Sequence, residues 1–263
     1  MSIVNNSENV SKQFSTDSNL SFRIDFYSKY DTAPQNFSNW LFEKYHFSEN
    51  DTVLELGCGN GCHWDNRIDA LPLGCKLILS DISDGMINEV QKKYGDKGVT
   101  IKKIDIQSIP YDSNSIDVVI ANHMLFHVPN LNKALSEIYR VLRMGGLFYA
   151  ATDSDEGIRP YLHDVLTKFD SSNTAFTEKF SFSLENGMEI LQNLFTSVHK
   201  FEYDFPLSVR DTNDLMKWFV STTDISGYTA EYYDELYSYF ENIRKKEGTI
   251  IIPKKSGMFM CSK

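Results

Sequence analysis

The sequence predicts an α/β fold in which mostly parallel strands alternate with helices, and three observations predict it. A short apolar run, Val53-Leu54-Glu55-Leu56, breaks into the alternating glycines Gly57, Gly59 and Gly61. Two later apolar runs each end in an acid, Asp81 and Asp105. Amphipathic stretches with helical spacing lie around them. Together these are the strand, turn and helix units of a nucleotide-binding sheet.

Composition sets the frame. With 263 residues, 41% of them hydrophobic and 13% aromatic, the chain can bury a large core, which excludes wholesale disorder. The net charge of −10 argues against nucleic acid as the main partner and suits neutral or cationic small substrates. The four cysteines, Cys58, Cys62, Cys75 and Cys261, lack zinc spacing, so no metal site is expected. No signal peptide opens the chain, and no apolar run reaches the ~20 residues of a membrane helix. A reducing cytoplasm is the expected home.

Taken in order, residues 1–21 are rich in Ser and Asn and read as a flexible arm. Phe22, Phe26, Tyr27 and Tyr30 fall at helical spacings, Pro34 interrupts, and Phe37, Trp40, Leu41 and Tyr45 form a second stripe. Two short helices beside the sheet are expected here. The run Val53 to Leu56 is apolar enough for a buried parallel strand. Its three glycines make a turn that leaves backbone N–H groups open to a ligand, or simply a tight turn. Cys62 to Ile68 can open a helix with its N-terminus facing that ligand.

The second strand, Lys76 to Ser80, ends at Asp81, near the roughly 20-residue spacing expected of an acid that holds ribose hydroxyls. Asp81 could instead only cap a helix. Ser83 is placed to cap a helix from Asp84 to Tyr94. Val99 to Ile104 makes the third strand, ending at Asp105, and Ile116 to Ala121 the fourth. Beyond it lies Asn122-His123-Met124-Leu125-Phe126-His127, in the region where open α/β sheets bind ligands. His123 and His127 stand i, i+4, so one helical turn would align them as candidate bases, or His127 could satisfy local backbone. Leu131 to Leu142 is amphipathic and closes on Gly145-Gly146, and Leu147 to Thr152 is strand five.

Helices are expected from Asp153 to Phe169 and from Ser183 to Leu194, and a sixth strand from Val198 to Phe205. Asp211 opens a largely helical insertion. Its tyrosines Tyr228, Tyr232, Tyr233, Tyr237 and Tyr239 either line an aromatic pocket or pack helices. Ile250 to Ile252, a turn over Lys254 to Gly257, and Met258 to Cys261 form the seventh strand, with Pro253 marking a kink or edge.

The pattern Glu-x-Gly-x-Gly-x-Gly, followed by the strand-ending acids Asp81 and Asp105 and by Arg140-Val141-Leu142-Arg143-Met144-Gly145-Gly146, resembles the class I S-adenosylmethionine-dependent methyltransferases. It is neither the dinucleotide fingerprint nor a phosphate loop. The acid ahead of the glycines would repel a pyrophosphate and suits a ligand with a cationic end. Met144 stands where the family usually has proline. The resemblance covers about Phe37 to Thr152, and only architecture beyond.

It implies a Rossmann-like, seven-stranded, mostly parallel sheet with helices on both faces, an antiparallel last strand and a helical lid insertion. One domain over 22–263 is implied, with lid segments around 22–45 and 211–247. The implied cofactor is S-adenosyl-L-methionine, with S-adenosyl-L-homocysteine as product. Its binding residues by resemblance are Glu55, Gly57, Cys58, Gly59, Gly61, Asp81, Ile82, Met86, Asp105, Ile106 and Asn122. Ile82 and Met86 would lie against adenine, Asp105 and the Ile106 N–H would meet its edge, and the Asn122 carbonyl would meet the ammonium. Segment 22–45 would fold over the cofactor, making Tyr27 and Tyr30 candidates for the pocket wall as well as for the core. His123, His127, Tyr27 and Tyr30 are the candidate catalytic positions. The implied reaction is in-line methyl transfer to an O, N or S atom of a small molecule. A peptide or protein acceptor, or cofactor binding without turnover, are the alternatives.

Overall fold

A computed structural model describes residues 18–221 and 229–263. Tyr228 and most of the expected arm lie outside them. Residues 18–21, expected in the arm, belong instead to α1 (Ser18–Tyr30). After α2 (Phe37–Phe42) come β1 (Thr52–Leu56), β2 (Lys76–Asp81), α3 (Asp84–Tyr94), β3 (Thr100–Lys103) and β4 (Ile116–Asn122). Next are α4 (Leu131–Val141), β5 (Leu142–Asp153), α5 (Ile158–Leu166), α6 (Gly187–Gln192) and β6 (Ser197–Asp204). The chain continues through β7 (Leu207–Val209), α7 (Thr212–Val220), α8 (Ala230–Glu247), β8 (Ile250–Ile252) and β9 (Lys255–Ser262).

The main sheet has seven strands in the order β3-β2-β1-β4-β5-β9-β6. Strands β1 to β5 are parallel, and β9 runs antiparallel between β5 and β6. Both faces are buried. Side chains alternate along a strand, so Leu54, Leu56, Val119, Ala121, Phe148 and Ala150 join one core. Val53, Leu77, Leu79, Val118, Ile120, Tyr149 and Ala151 join the other.

Four expectations change. The segment after Gly61 forms two short 3-10 turns, Cys62–Trp64 and Ile68–Ala70, in place of one helix. Helix α4 passes straight into β5 at Leu142, so Gly145 and Gly146 fall inside the strand and do not cap the helix. Ile250–Ile252 leaves the main sheet and pairs with β7, so the expected turn over Lys254 to Gly257 is instead the start of β9. The helices expected at 153–169 and 183–194 are shorter, because Asp153 still pairs in β5 and Ser183 is tied to Asn186.

A third core joins Phe26 and Tyr30 of α1 to α5, α7, α8, β7 and β8. The helical lid segments thus share a buried cluster of their own, which the sequence did not announce. Tyr232, Tyr233, Tyr237 and Tyr239 pack against it, as helix-packing residues.

Candidate active site

The two-residue period places the site. On the face of Val53, Leu79, Ile120 and Ala151, the next side chains toward the carboxyl ends are Glu55, Asp81, Asn122 and Asp153. In β9 and β6, Ser256 and Tyr203 face each other in register, two residues from the paired Met258 and Phe201. One face of one sheet edge therefore gathers polar groups from six strands, across the β1/β4 point where strand order reverses and ligand crevices form.

In the glycine turn, Gly57, Gly59 and Gly61 have φ of 68°, 57° and 74°. A side chain there would be strained, and a Cβ would lie 2.9 Å from Met124 at Gly57 and 2.8 Å from Tyr94 at Gly61. A Cβ on Gly59 would lie 3.0 Å from Leu20 of α1, and Asn60 Nδ2 donates to Ser21 Oγ at 3.2 Å. The first helix thus closes over the turn. Cys58 is buried, its N–H donates to Ser80 O, and burial raises its thiol well above the ordinary value.

Asp81 ends β2 and accepts N–H bonds from Gly59 at 3.0 Å and Ser83 at 2.8 Å. Burial raises its carboxyl, and those bonds oppose the rise. Ser83 caps α3 by accepting from the Met86 N–H. Glu55 is buried and accepts from Trp64 Nε1 at 2.5 Å and Asn122 Nδ2 at 3.2 Å. Burial, with a smaller push from Asp81, lifts it to about 7 against those two bonds. Asn122 also bonds the Tyr45 hydroxyl. Asp105 follows β3 and accepts the Gln107 N–H at 2.9 Å.

The adenine wall is only partly assembled. Ile82 is 57% exposed at the edge. Met86 is fully buried and offers no surface, because Met86, Val90 and Tyr94 form the inward stripe of α3. The Ile106 side chain is core, which leaves its backbone as the group available to a ligand.

At the other end of the same edge, His123 follows β4 with φ 50°, a left-handed turn that ends the strand. Its Nδ1 lies 3.5 Å from Asp153 Oδ2, and both side chains keep about a third of their surface, at 33% and 37%. The other carboxylate oxygen accepts from Ser256 Oγ at 2.5 Å. Ser256 in turn accepts from Lys254 Nζ at 3.1 Å. Burial alone would raise the Asp153 carboxyl. The charges and hydrogen bonds of His123, Lys254 and Ser256 outweigh it and hold Asp153 well below the usual carboxylate range. Phe37 lies 5.2 Å from the His123 ring, and Tyr27 carries Lys254 over its face.

Sequence reasoning missed Asp153, Ser256 and Lys254. A strand-ending acid at Asp153 was the available signal, and it was read as the start of a helix. Tyr27 reaches this group. Tyr30 does not: it is buried in the lid core and donates to Asp214 at 2.8 Å. His127 is not aligned with His123 either. Leu125–His127 is a 3-10 turn, and the His127 ring packs on Phe126, which belongs to the opposite core.

The residues fit the implied cofactor on two observations. Among the described residues, no lysine or arginine pairs with Glu55, Asp81 or Asp105, so these acids lack a fixed counter-charge. Beside the glycine turn, His63 Nδ1 meets Ser38 Oγ at 2.8 Å while its buried Nε2 has no partner. Burial, with Arg67 and His123 nearby, pulls that imidazole down to about 3, so it is a neutral group able to serve a ligand.

Residues 54–150, from β1 through the glycine turn into β5, match the family described as methyltransferase domain. Those residues carry a methyltransferase domain of the class I S-adenosylmethionine-dependent kind. Over 233 residues the chain is 27% identical to an uncharacterized methyltransferase of Schizosaccharomyces pombe, covering 85% of this chain and 87% of that one. It is 32% identical over 124 residues to the sterol 4-C-methyltransferase of Caenorhabditis elegans. That match covers 46% of this chain and spans only 36% of the sterol enzyme's length. The crystal structure of YcgJ from Bacillus subtilis shares the fold, with a TM-score of 0.59 at 15% identity over 86% of this chain and 97% of that chain.

Proposed function

We propose that this chain transfers the methyl group of S-adenosylmethionine to a hydroxyl or amine of a small molecule. The observation that carries the reading is the His123–Asp153 pair, set on the same sheet face as the acid-lined glycine turn and open to solvent.

When bound, S-adenosylmethionine supplies a methyl group already activated on a sulfonium, and S-adenosylhomocysteine is left. Asp81 would hold the ribose hydroxyls, and Asp105 with the Ile106 N–H the adenine edge. The Gly57–Gly61 backbone, Glu55 and Asn122 would surround the amino-acid end. The protein's main contributions are positioning and exclusion of water, and positioning can supply up to ~7–11 kcal/mol. A hydroxyl or ammonium acceptor must also lose a proton. His123 is the group placed to take it, with Asp153 behind its Nδ1. Tyr27 and Phe37 would wall the acceptor, and the lid core of α1, α7 and α8 would close over it.

The relative named for a sterol supports a small-molecule acceptor, and the net charge of −10 weighs against nucleic acid. Among the described residues no helix is long and apolar enough to cross a membrane. Four free thiols suit the reducing cytoplasm that we propose as its location.

Calorimetric titration with S-adenosylhomocysteine, then incubation of a metabolite extract with labelled methyl donor, tests the reading. Binding, and label in a small hydroxyl or amine compound, are expected. No binding refutes the cofactor assignment, and label confined to peptides refutes the small-molecule acceptor.

A further inference from the structure

The network behind His123 does not stop at Asp153. Asp153 has two carboxylate oxygens with different partners. Oδ2 faces the His123 imidazole at 3.5 Å, and Oδ1 is taken by the Ser256 hydroxyl at 2.5 Å. Ser256 has one hydroxyl proton and gives it to Asp153, so its oxygen is free to accept, and it accepts from Lys254 Nζ at 3.1 Å. The four side chains form one line from a half-exposed ring to a buried ammonium.

The buried end is unusual. Lys254 is only 9% exposed, and its ammonium sits 5.2, 5.2 and 5.5 Å from the ring centres of Tyr27, Phe37 and Tyr203. Enclosing a lysine strips its ammonium of hydration, which disfavours the charged form. The aromatic faces offset part of it. No carboxylate lies within ion-pair distance of Lys254 among the described residues. A lysine serving only to cross-link the fold would be expected to meet an acid directly. This one reaches Asp153 through a hydroxyl, which leaves the second carboxylate oxygen aimed at the imidazole. Asp31, the other acid nearby, is bonded to Tyr203 at 2.7 Å. The register explains the arrangement, since Ser256 is the partner of Asp153 in the β5·β9 ladder and of Tyr203 in the β6·β9 ladder.

We propose that Lys254 and Ser256 are positioning residues. With Asp153 they hold the His123 imidazole with its Nδ1–H turned inward and its Nε2 presented to the cleft. A neutral imidazole has two tautomers, and only this one leaves Nε2 as a proton acceptor. Ser256 pins the rotation of the Asp153 carboxylate, and Lys254 fixes the direction of the Ser256 hydroxyl. The inference rests on the reading of His123 as proton acceptor, but its test reads the ring itself.

The experiment uses the full chain labelled with 15N in its six histidines. Long-range 15N–1H correlation spectra report each tautomer, and His123→Gln assigns the His123 signals. The wild-type ring is expected in the Nδ1–H form. Lys254→Met and Ser256→Ala are each expected to raise the Nε2–H population at least threefold. The other five rings should keep their signals, and S-adenosylhomocysteine affinity should stay within twofold. Ser256→Ala carries the test alone if the lysine variant fails to unfold cooperatively on heating. A wild-type ring in the Nε2–H form, or variants with an unchanged His123 tautomer, overturns the proposal. A wild-type chain that binds no S-adenosylhomocysteine overturns the cofactor reading instead, and the tautomer result still decides this inference.

Discussion

Glu55 and Asp153 stand on the same face of the sheet, at the same end, separated by one strand; Glu55 is buried and Asp153 keeps about a third of its side-chain surface. Their acidities nevertheless move apart. Glu55 rises to about 7, while Asp153 is held well below the ordinary range. The neighbours decide the difference. Glu55 meets two neutral donors, Trp64 and Asn122, with the acid Asp81 nearby. Asp153 meets an imidazole and a hydroxyl, and feels the charge of a buried ammonium behind that hydroxyl. One half of the edge leaves its counter-charge to be supplied by a ligand, as a cationic cofactor would supply it. The other half brings its own, beside the imidazole that we propose as the base. This is the environment rule for paired carboxylates, in which surroundings assign the roles.

The comparison breaks most sharply at Asp153. Asp153→Asn should lower labelled methyl transfer by about 10²–10⁴-fold, the range of a lost acid–base function, with S-adenosylhomocysteine affinity unchanged in calorimetry. A parallel fall in affinity would show that the two halves are not separate. Asp81→Ala should do the reverse, weakening S-adenosylhomocysteine about 100-fold, as two charge-assisted hydrogen bonds of about 1.5 kcal/mol each would predict. Asp81→Asn, which keeps one acceptor oxygen, should lose less.

Glu55 gives a pH signature. Its folded acidity is shifted upward, so between about 4.5 and 7 the folded chain holds more proton than the unfolded chain. Stability therefore falls as pH rises through that window, by up to about 3 kcal/mol. Urea unfolding at pH 5 and pH 7.5 should show the fall in the wild type and a flatter profile in Glu55→Gln. Asp153 has the opposite sign: its contribution is present above the ordinary carboxylate value and is lost as pH falls through its depressed one. The smallest effect is expected at Tyr30. Tyr30→Phe should cost about 1 kcal/mol of stability through the lost bond to Asp214, with no change in ligand affinity.

What could be read in the sequence was local. Glu55 with its glycines, Asp81 and the Ser83 cap lie within two successive strands and the turns that follow them, where spacing alone assigns positions. The His123–Asp153–Ser256–Lys254 line was not legible, because Ser256 meets Asp153 across 103 residues. Only the insertion of β9 between β5 and β6 joins them. Met86 shows a different limit. Its place in the apolar stripe with Val90 and Tyr94 was visible, but the adenine assignment followed a family position and not the helix period. The expected helix after Gly61 failed because the chain turns twice within nine residues, through Trp64, whose indole is drawn back to Glu55.

The interleaved position of β9 also orders events during synthesis. The residues proposed for the cofactor all lie before the end of β4, whereas Ser256 reaches Asp153 only after residues 255–262 have left the ribosome. Until then β5 carries an unpaired border open to other chains. A nascent polypeptide therefore carries every residue that we propose for the cofactor well before the line behind His123 can assemble.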